Sequence, residues 1–517
     1  MTRTGGEIGL GISPARTAKT LGAADRLHVV GVGGVAAMGA ALHAAALGVH
    51  VTGVDDRLSP SAERILRDAG VVLVDGSDVS PLKTATSLAV SKAVTSVRPD
   101  HPQLEAARAA GVPIISVQQV IADAAATYGR PLLAVAGTHG KTTSTGWLLE
   151  LLRASGVNPA AFIGGPLPEG TGTPPGSPVH LGDSPGFIVE ADEYAGNFDA
   201  YAADCALILN VDWDHPDVFR DRRAVIEEFI RWSRPTLSRT GLVVNVGDSG
   251  GADLAAAILK TEVPGAAALP LFTYELRGEG GTETGRVADV TATLRTLPRG
   301  GVALADVRLS PRALVGLAAL AELAGEELAI GIRGAHNAAN ALGVAALASL
   351  AGATSAGIRR GLASFTGVGR RLEVLYERDG RVVIDDYGHH PAAIDATLAT
   401  VRAIYPNRTL WLAYEPLTYH RTASLLEPLA ASCAAADRVF VAEIHASRDP
   451  DLSIASSLGL AEAIVRRGGQ AEAPGAVEAT ATALLAAAPA DVVVLVMGGG
   501  RSTDMARLIA DGFSTRA

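Results

Sequence analysis

The residues with most chemistry to offer lie between Leu132 and Thr145, LLAVAGTHGKTTST. An apolar segment, Leu132 to Ala136, runs into a glycine turn, and Lys141, Thr142 and Thr143 follow where a helix should begin. Such a turn aims backbone N–H groups and a helix N-terminus at phosphate oxygens. Lys141 adds a point charge, and the Thr142 hydroxyl is placed to ligate Mg²⁺. The usual P-loop pattern would need glycine where Val135 stands. The shorter run Gly137, Thr138, His139, Gly140, Lys141, Thr142, Thr143 still predicts a nucleoside triphosphate as fuel.

Acidic groups recur where apolar strands end. Glu190-Ala-Asp192-Glu193-Tyr194 follows Phe187 to Val189, and Glu190 is the expected metal ligand. Asn210-Val-Asp212-Trp-Asp214-His215-Pro-Asp217 follows another strand and would suit a second Mg²⁺, although imidazole is an unusual partner for that ion. Asn337 and Asn340 open an Ala-rich helix, as caps or as groups near a base or phosphates. Asp385-Asp386-Tyr387-Gly388-His389-His390-Pro391 and Tyr419-His420-Arg421-Thr422 end strands further on. They point to a second ligand site facing the phosphate loop, where Arg421 would grip a carboxylate.

A glycine turn nearer the N-terminus, Gly31-Val-Gly33-Gly34-Val-Ala-Ala-Met38-Gly39, also follows a strand and opens a helix. Asp55, at the end of the next strand, is spaced for a ribose hydroxyl. Tight strand–helix packing, a nicotinamide cofactor and a nucleotide diphosphate are all compatible with this turn taken alone.

These groups must be positioned by a large α/β framework. The chain has 517 residues, 48% hydrophobic but only 4% aromatic, so Ala, Val and Leu dominate its cores. That length predicts about two to four domains, and the composition suits buried parallel sheets. Strands are expected at 27–33, 50–54, 71–74, 87–91 and 113–117 in a first block. A second block has 187–190, 205–210, 242–246 and a hairpin within 286–310. A third has 381–386, 409–414, 438–443 and 491–497. The stretch Pro166 to Pro185 reads as a long surface loop over a site. The opening run MTRTGGEIGLGISPARTAKT has no long apolar core, so a flexible lead-in over 1–25 is expected, with no secretion signal. No apolar run predicts a membrane span. Two distant cysteines, Cys205 and Cys433, are expected to be buried thiols. A net charge of −10 disfavours a nucleic-acid surface.

Taken together the motifs resemble the Mur ligases, ATP-dependent amide-forming enzymes of peptidoglycan precursor assembly. The glycine turn at 31–39, GTHGKTT at 137–143, EADE at 190–193, DH at 214–215, HNxxN at 336–340, Arg370-Arg371, DDYGHHP at 385–391 and the run at 419–422 stand in the family's order. The resemblance spans about 25 to 510 and implies three domains: a Rossmann-like one at 26–128 for a UDP-sugar, a P-loop-type ATPase one at 129–366, and a Rossmann-like one at 367–517 for the amino acid. It implies Lys141, Glu190 and His215 as catalytic residues, with Thr142, Glu190 and His215 on Mg²⁺. ATP would meet residues 137–143, Asn337, Asn340 and Arg371; the UDP-sugar Gly31, Gly33, Gly34, Met38 and Asp55; the amino acid Tyr387, His389 and Arg421. The substrates implied are UDP-N-acetylmuramate and L-alanine, joined through an acyl phosphate in the cytoplasm by a monomer or homodimer. No lysine lies between His215 and Lys260, which fits the alanine-adding branch. Asp214 to Phe219 and Glu415-Pro416 also echo the branch that attaches a murein tripeptide.

Overall fold

The computed structural model describes residues 2–167, 174–260, 269–279, 286–446, 449 and 451–515. Its strands form three mostly parallel sheets, one for each block expected from the sequence. The first sheet is wholly parallel, in the order Val72–Leu73, His50–Val54, Arg26–Val30, Ser87–Val90, Ile114–Ser116. The central sheet has ten strands, with Leu132–Ala136 between Cys205–Ile208 and Ser184–Ala191. Its ends are antiparallel, and one of them holds the expected hairpin, Val290–Leu297 with Gly301–Leu309. The third sheet has six strands, parallel except for the edge pair Glu373–Arg378 and Arg381–Asp386.

Continuous apolar runs explain why these strands sit inside. Val492 to Met497 are all fully buried, as expected of a parallel strand covered on both faces. Helices Pro391–Ile404 and Leu426–Cys433 cover one face of the third sheet, and Val477–Ala487 and Ser502–Ser514 the other. Strands such as Glu373–Arg378 and Ala471–Gly475 escape a sequence reading because they lie at edges, half exposed and rich in charge or small residues. The expected loop 166–185 is shorter than its composition implied. Residues 168–173 lie outside the described residues, and the remainder supplies the strand Val179–His180 and the start of Ser184–Ala191.

The first and central sheets share one apolar core, running from Leu27 and Val29 through Phe162, Phe187 and Val189 to Leu242. Gly39 on helix Val35–Ala46 makes this contact: a Cβ there would stand 2.6 Å from the Phe162 ring. One turn further along, His43 gives its Nε2–H to the Ala161 carbonyl at 3.1 Å and packs on Phe187 and Tyr128.

The lead-in is not loose. Arg16 pairs with Asp123 at 2.6 Å, Ser13 N–H donates to the Ile114 carbonyl, and fully buried Ile8 packs on Tyr194 and Ala195. These anchors, an ion pair and single apolar side chains among polar ones, leave no periodic signal to read. Both cysteines are free and buried. Among the described residues no helix is long and apolar enough to cross a membrane.

His43 makes the joint between the two sheets sensitive to acid. Burial lowers its pKa from 6.5 to about 4, with the bond to Ala161 opposing the shift. The unfolded chain therefore binds a proton at a pH where the folded one does not. Stability should fall as pH drops from about 6.5 towards 4, by up to about 3 kcal/mol from this group. Thermal unfolding across that range should show a flatter profile for His43→Gln than for the unaltered chain; parallel profiles would contradict this account.

Candidate functional site

A cavity of about 1130 Å³ opens where the three sheets meet. The phosphate loop forms its floor. Gly137 and Gly140 take φ of 140° and 79°, and a Cβ on Gly140 would lie 2.8 Å from the Asn340 amide nitrogen. Only glycine accommodates both demands. The loop is pinned to the strand beside it. The Asn210 side chain accepts from His139 N–H at 2.8 Å and donates to the His139 carbonyl at 3.0 Å, and Thr138 Oγ1 accepts from Asp212 N–H. Helix Lys141–Ala154 starts on Gly140 with no side-chain cap, so its first N–H groups are left for a ligand. Its far side is locked by Trp147, buried and stacked on Phe365 at 5.2 Å.

Lys141 lies in a nest of acids. Its ammonium donates to the Gly137 carbonyl at 2.7 Å and to Glu193 at 2.9 Å, and lies 3.6 Å from Asp192. Burial works against its charge, but Glu193, Asp192 and Glu190 raise its pKa on balance. Burial pushes both Glu190 and Glu193 up to about 7, with Lys141 pulling each back. One lysine thus serves several carboxylates, and Glu190 Oε2 and Glu193 Oε1 are buried with no hydrogen-bond partner. That donor set fits a divalent cation.

The expected ligands divide into two groups. Glu190 is bonded by Thr142, whereas His215 stands with Asp192 and Glu193, their ligand atoms within 4.8 Å of one another. Asp192 and Glu193 were legible only as neighbours of Glu190 in the acidic run; that they join His215 depends on how the strand ends meet. His215 is held at φ 55° and packs on the Tyr194 ring.

The third sheet meets the loop through buried polar contacts. Arg421 spans to Asp214 with Nε at 2.8 Å and Nη2 at 3.1 Å, both side chains almost fully buried. Against the effect of burial, Arg421 holds the Asp214 carboxyl well below its usual range. The expected grip of Arg421 on a substrate carboxylate is therefore mostly spent on Asp214; Nη1 alone is left without a partner. The guanidiniums of Arg370 and Arg371 lie 5.0 and 5.1 Å from the Tyr387 ring, and Arg371 reaches Thr142 at 3.4 Å. His389 is neutral, its pKa driven well down by burial and by Arg421. Its Nδ1 faces the Tyr387 carbonyl at 3.1 Å and so carries the proton, leaving Nε2 as an acceptor. Asn337 and Asn340 line the cavity, Asn337 also donating to the Arg333 carbonyl.

The first-sheet end holds fewer of the expected groups. Gly34 lines the cavity, whereas Gly31, Gly33, Met38 and Asp55 are not part of its wall. Met38 is packed into the core shared with the central sheet. Asp55 closes the glycine turn, accepting from Gly33 N–H at 2.9 Å and Arg57 N–H at 2.8 Å. Spacing placed Asp55 correctly at the strand end and could not show where its oxygens point. Ser91 and Lys92 line the cavity here without having been singled out in the sequence.

Comparison with known proteins gives two family matches. Residues 26–128 match the domain described as Mur ligase family, catalytic domain, and residues 370–500 that described as Mur ligase, glutamate ligase domain. The phosphate loop lies between the two. The UDP-N-acetylmuramate–L-alanine ligase of Solidesulfovibrio magneticus is 32% identical over 85% of this chain and 87% of its own. That of Mycolicibacterium vanbaalenii is 32% identical over 95% of this chain and 97% of its own. Among solved structures, the UDP-N-acetylmuramate–alanine ligase of Thermotoga maritima superposes with a TM-score of 0.73 at 21% identity, covering 95% of this chain and 100% of that one. A murein peptide ligase from Psychrobacter arcticus gives 0.66 at 23% identity, covering 94% and 98%.

The Arg421–Asp214 pair should hold the third sheet against the central one. Removing one member of a buried pair costs about 3–5 kcal/mol because the other charge is stranded. Asp214→Asn is therefore expected to loosen the docking, seen as a larger radius of gyration in small-angle scattering with unchanged circular dichroism. Identical scattering from the variant would show that the pair does not hold the parts together.

Proposed function

The chain belongs to the Mur ligase family, and from that premise we propose that it joins L-alanine to the lactyl carboxylate of UDP-N-acetylmuramate at the expense of ATP, in the cytoplasm. The observation that carries this reading is Lys141, on a glycine-bounded phosphate loop, set among Glu190, Asp192 and Glu193. A site that must bring a triphosphate up to a carboxylate faces repulsion between anions, and this one holds a fixed cation together with donors for divalent ones. Relatives named for this reaction cover nearly the whole chain and support the same assignment.

In this reading the first sheet binds the sugar nucleotide, the central sheet ATP, and the third the amino acid. Lys141 and the N–H groups at the start of helix Lys141–Ala154 hold the terminal phosphates, and Arg371 closes over them from the third sheet. Thr142, Glu190, Glu193 and His215 are the residues that would hold Mg²⁺, which neutralises phosphate charge as it develops. A carboxylate oxygen of the sugar takes the terminal phosphoryl group, ADP leaves, and an acyl phosphate results. The amine nitrogen then attacks the acyl carbon and loses a proton, and the C–O bond to phosphate breaks. His389 Nε2 is placed to accept a hydrogen bond from the amine, with Tyr387 beside it. Closure of the third sheet keeps water from the acyl phosphate.

In the run Glu415-Pro-Leu417-Thr418-Tyr419-His420-Arg421-Thr422, Thr418 stands where the family resemblance implies a basic residue. A tripeptide-adding sibling is the second reading, favoured by Glu415-Pro416 and by the fold shared with a murein peptide ligase.

Phosphate release measured with UDP-N-acetylmuramate and each of L-alanine, glycine, L-serine and the murein tripeptide should be greatest with L-alanine. Greatest release with the tripeptide would establish the sibling; none with any amine would refute the ligase assignment. Lys141→Ala should lower kcat by at least about a hundredfold, as expected for losing a charge that clamps the transferring group. Near-normal release by that variant would rule out the role given to Lys141.

A further inference from the structure

The order of strands in the first sheet leaves one cation without an evident structural purpose. Arg26–Val30 and Ser87–Val90 are neighbours, and the chain winds outward from them in opposite directions. A crevice opens beyond the C-terminal ends of two such strands, and ligands of open α/β sheets sit there. One wall is Gly34 at the end of the glycine turn, where helix Val35–Ala46 begins with no side-chain cap. The other wall is Ser91 and Lys92. Gly34, Ser91 and Lys92 all face the main cavity.

Folding alone gives little reason for a lysine here. Lys92 opens helix Lys92–Val97, and a positive charge is disfavoured at the positive end of a helix dipole. Its ammonium donates to a neutral group, the Ala195 carbonyl, at 2.5 Å. Among the described residues no carboxylate lies within ion-pair distance of it; burial lowers its pKa, with Asp199 and Asp192 opposing from further off. The carbonyl it holds follows the acidic run directly, on a stretch where Ala195 and Gly196 take φ of 50° and 70°. A cation on a neutral acceptor, at the mouth of a phosphate-binding turn, has spare capacity for an anion.

We propose that Lys92 binds the anionic part of the sugar nucleotide in this crevice, opposite the glycine turn. The assignment rests on the ligase reading above and adds to it a residue that follows a strand of the first sheet. Two groups of that substrate have the right chemistry, the diphosphate and the lactyl carboxylate, and the choice of ligands separates them.

The test is calorimetric titration of the full chain, unaltered and as Lys92→Met and Lys92→Arg, with UDP, UDP-N-acetylglucosamine, UDP-N-acetylmuramate and ATP. Lys92→Met should bind the sugar acid about tenfold or more weakly, raise its KM with little change in kcat, and leave ATP affinity unchanged. Lys92→Arg should recover part of the loss. Weakening with all three uridine ligands assigns the diphosphate; weakening with UDP-N-acetylmuramate alone assigns the carboxylate. Should the Met variant fail to fold by circular dichroism, Lys92→Gln replaces it. Normal uridine-nucleotide binding by the neutral variant overturns the assignment, as does an equal loss of ATP affinity, which would mark damage to the acidic run. If the unaltered chain binds no uridine nucleotide, the functional reading fails and this assignment falls with it.

Discussion

The site is organised around an imbalance of charge. Lys141 lies among Glu190, Asp192 and Glu193 on the cavity wall, one ammonium against three carboxyl groups, with Arg371 also acting on Glu190. Burying carboxyl groups there is costly, and a divalent cation on Glu190 and Glu193 would offset it. The glycine loop, the strand ends and the contact with the third sheet serve to hold this cluster in register. Asn210 fixes the loop to its neighbouring strand, Asn340 seals the turn at Gly140, and Trp147 anchors the helix behind it. Each is a rigid support for a group whose charge would otherwise push the site apart.

Topology places these groups together. The phosphate loop leaves the central sheet at Ala136, and the acidic runs leave it from the strands on either side, so all three emerge from the same edge. The third sheet sends Tyr387, His389 and Arg421 from its own strand ends to face them. The cavity is therefore built from the C-terminal ends of parallel strands in every sheet, as is usual where helices cover both faces. Charged and hydrogen-bonding groups can be presented there without interrupting the buried strands that carry them.

Much of this was legible in the sequence because it depends on local pattern. Apolar runs bounded by glycine marked the interior strands, and GTHGKTT, EADE and DWDH marked three of the strand ends. What escaped depends on contacts between distant segments. Asp55 stands at the expected position but turns back onto Gly33 and Arg57. Met38 lies in the expected turn but on the face that meets the central sheet. Glu193 and Asp192 join His215 only because two loops converge, and Lys92 reaches the cavity only because the strand before it lies next to the one that leads into the glycine turn. The lead-in is held by Arg16, Ile8 and a few backbone bonds, which no periodicity announces. Spacing along a chain identifies which residues reach a strand end; the direction in which a side chain then points is settled by its neighbours.

The core shared by the first two sheets divides the molecule unevenly. Parting them would expose Phe162, Phe187 and the helix face at Gly39 to water, a large loss of buried apolar area. The third sheet keeps its own cores on its own two faces and meets the central block through the Arg421–Asp214 pair, the tilted rings of His139 and His390, and Trp213, which packs against one of those cores. Water can take over the polar contacts one by one. A swing of the third sheet about the glycine-bearing link at 366–369 would therefore uncover less apolar surface than parting the first two sheets from each other.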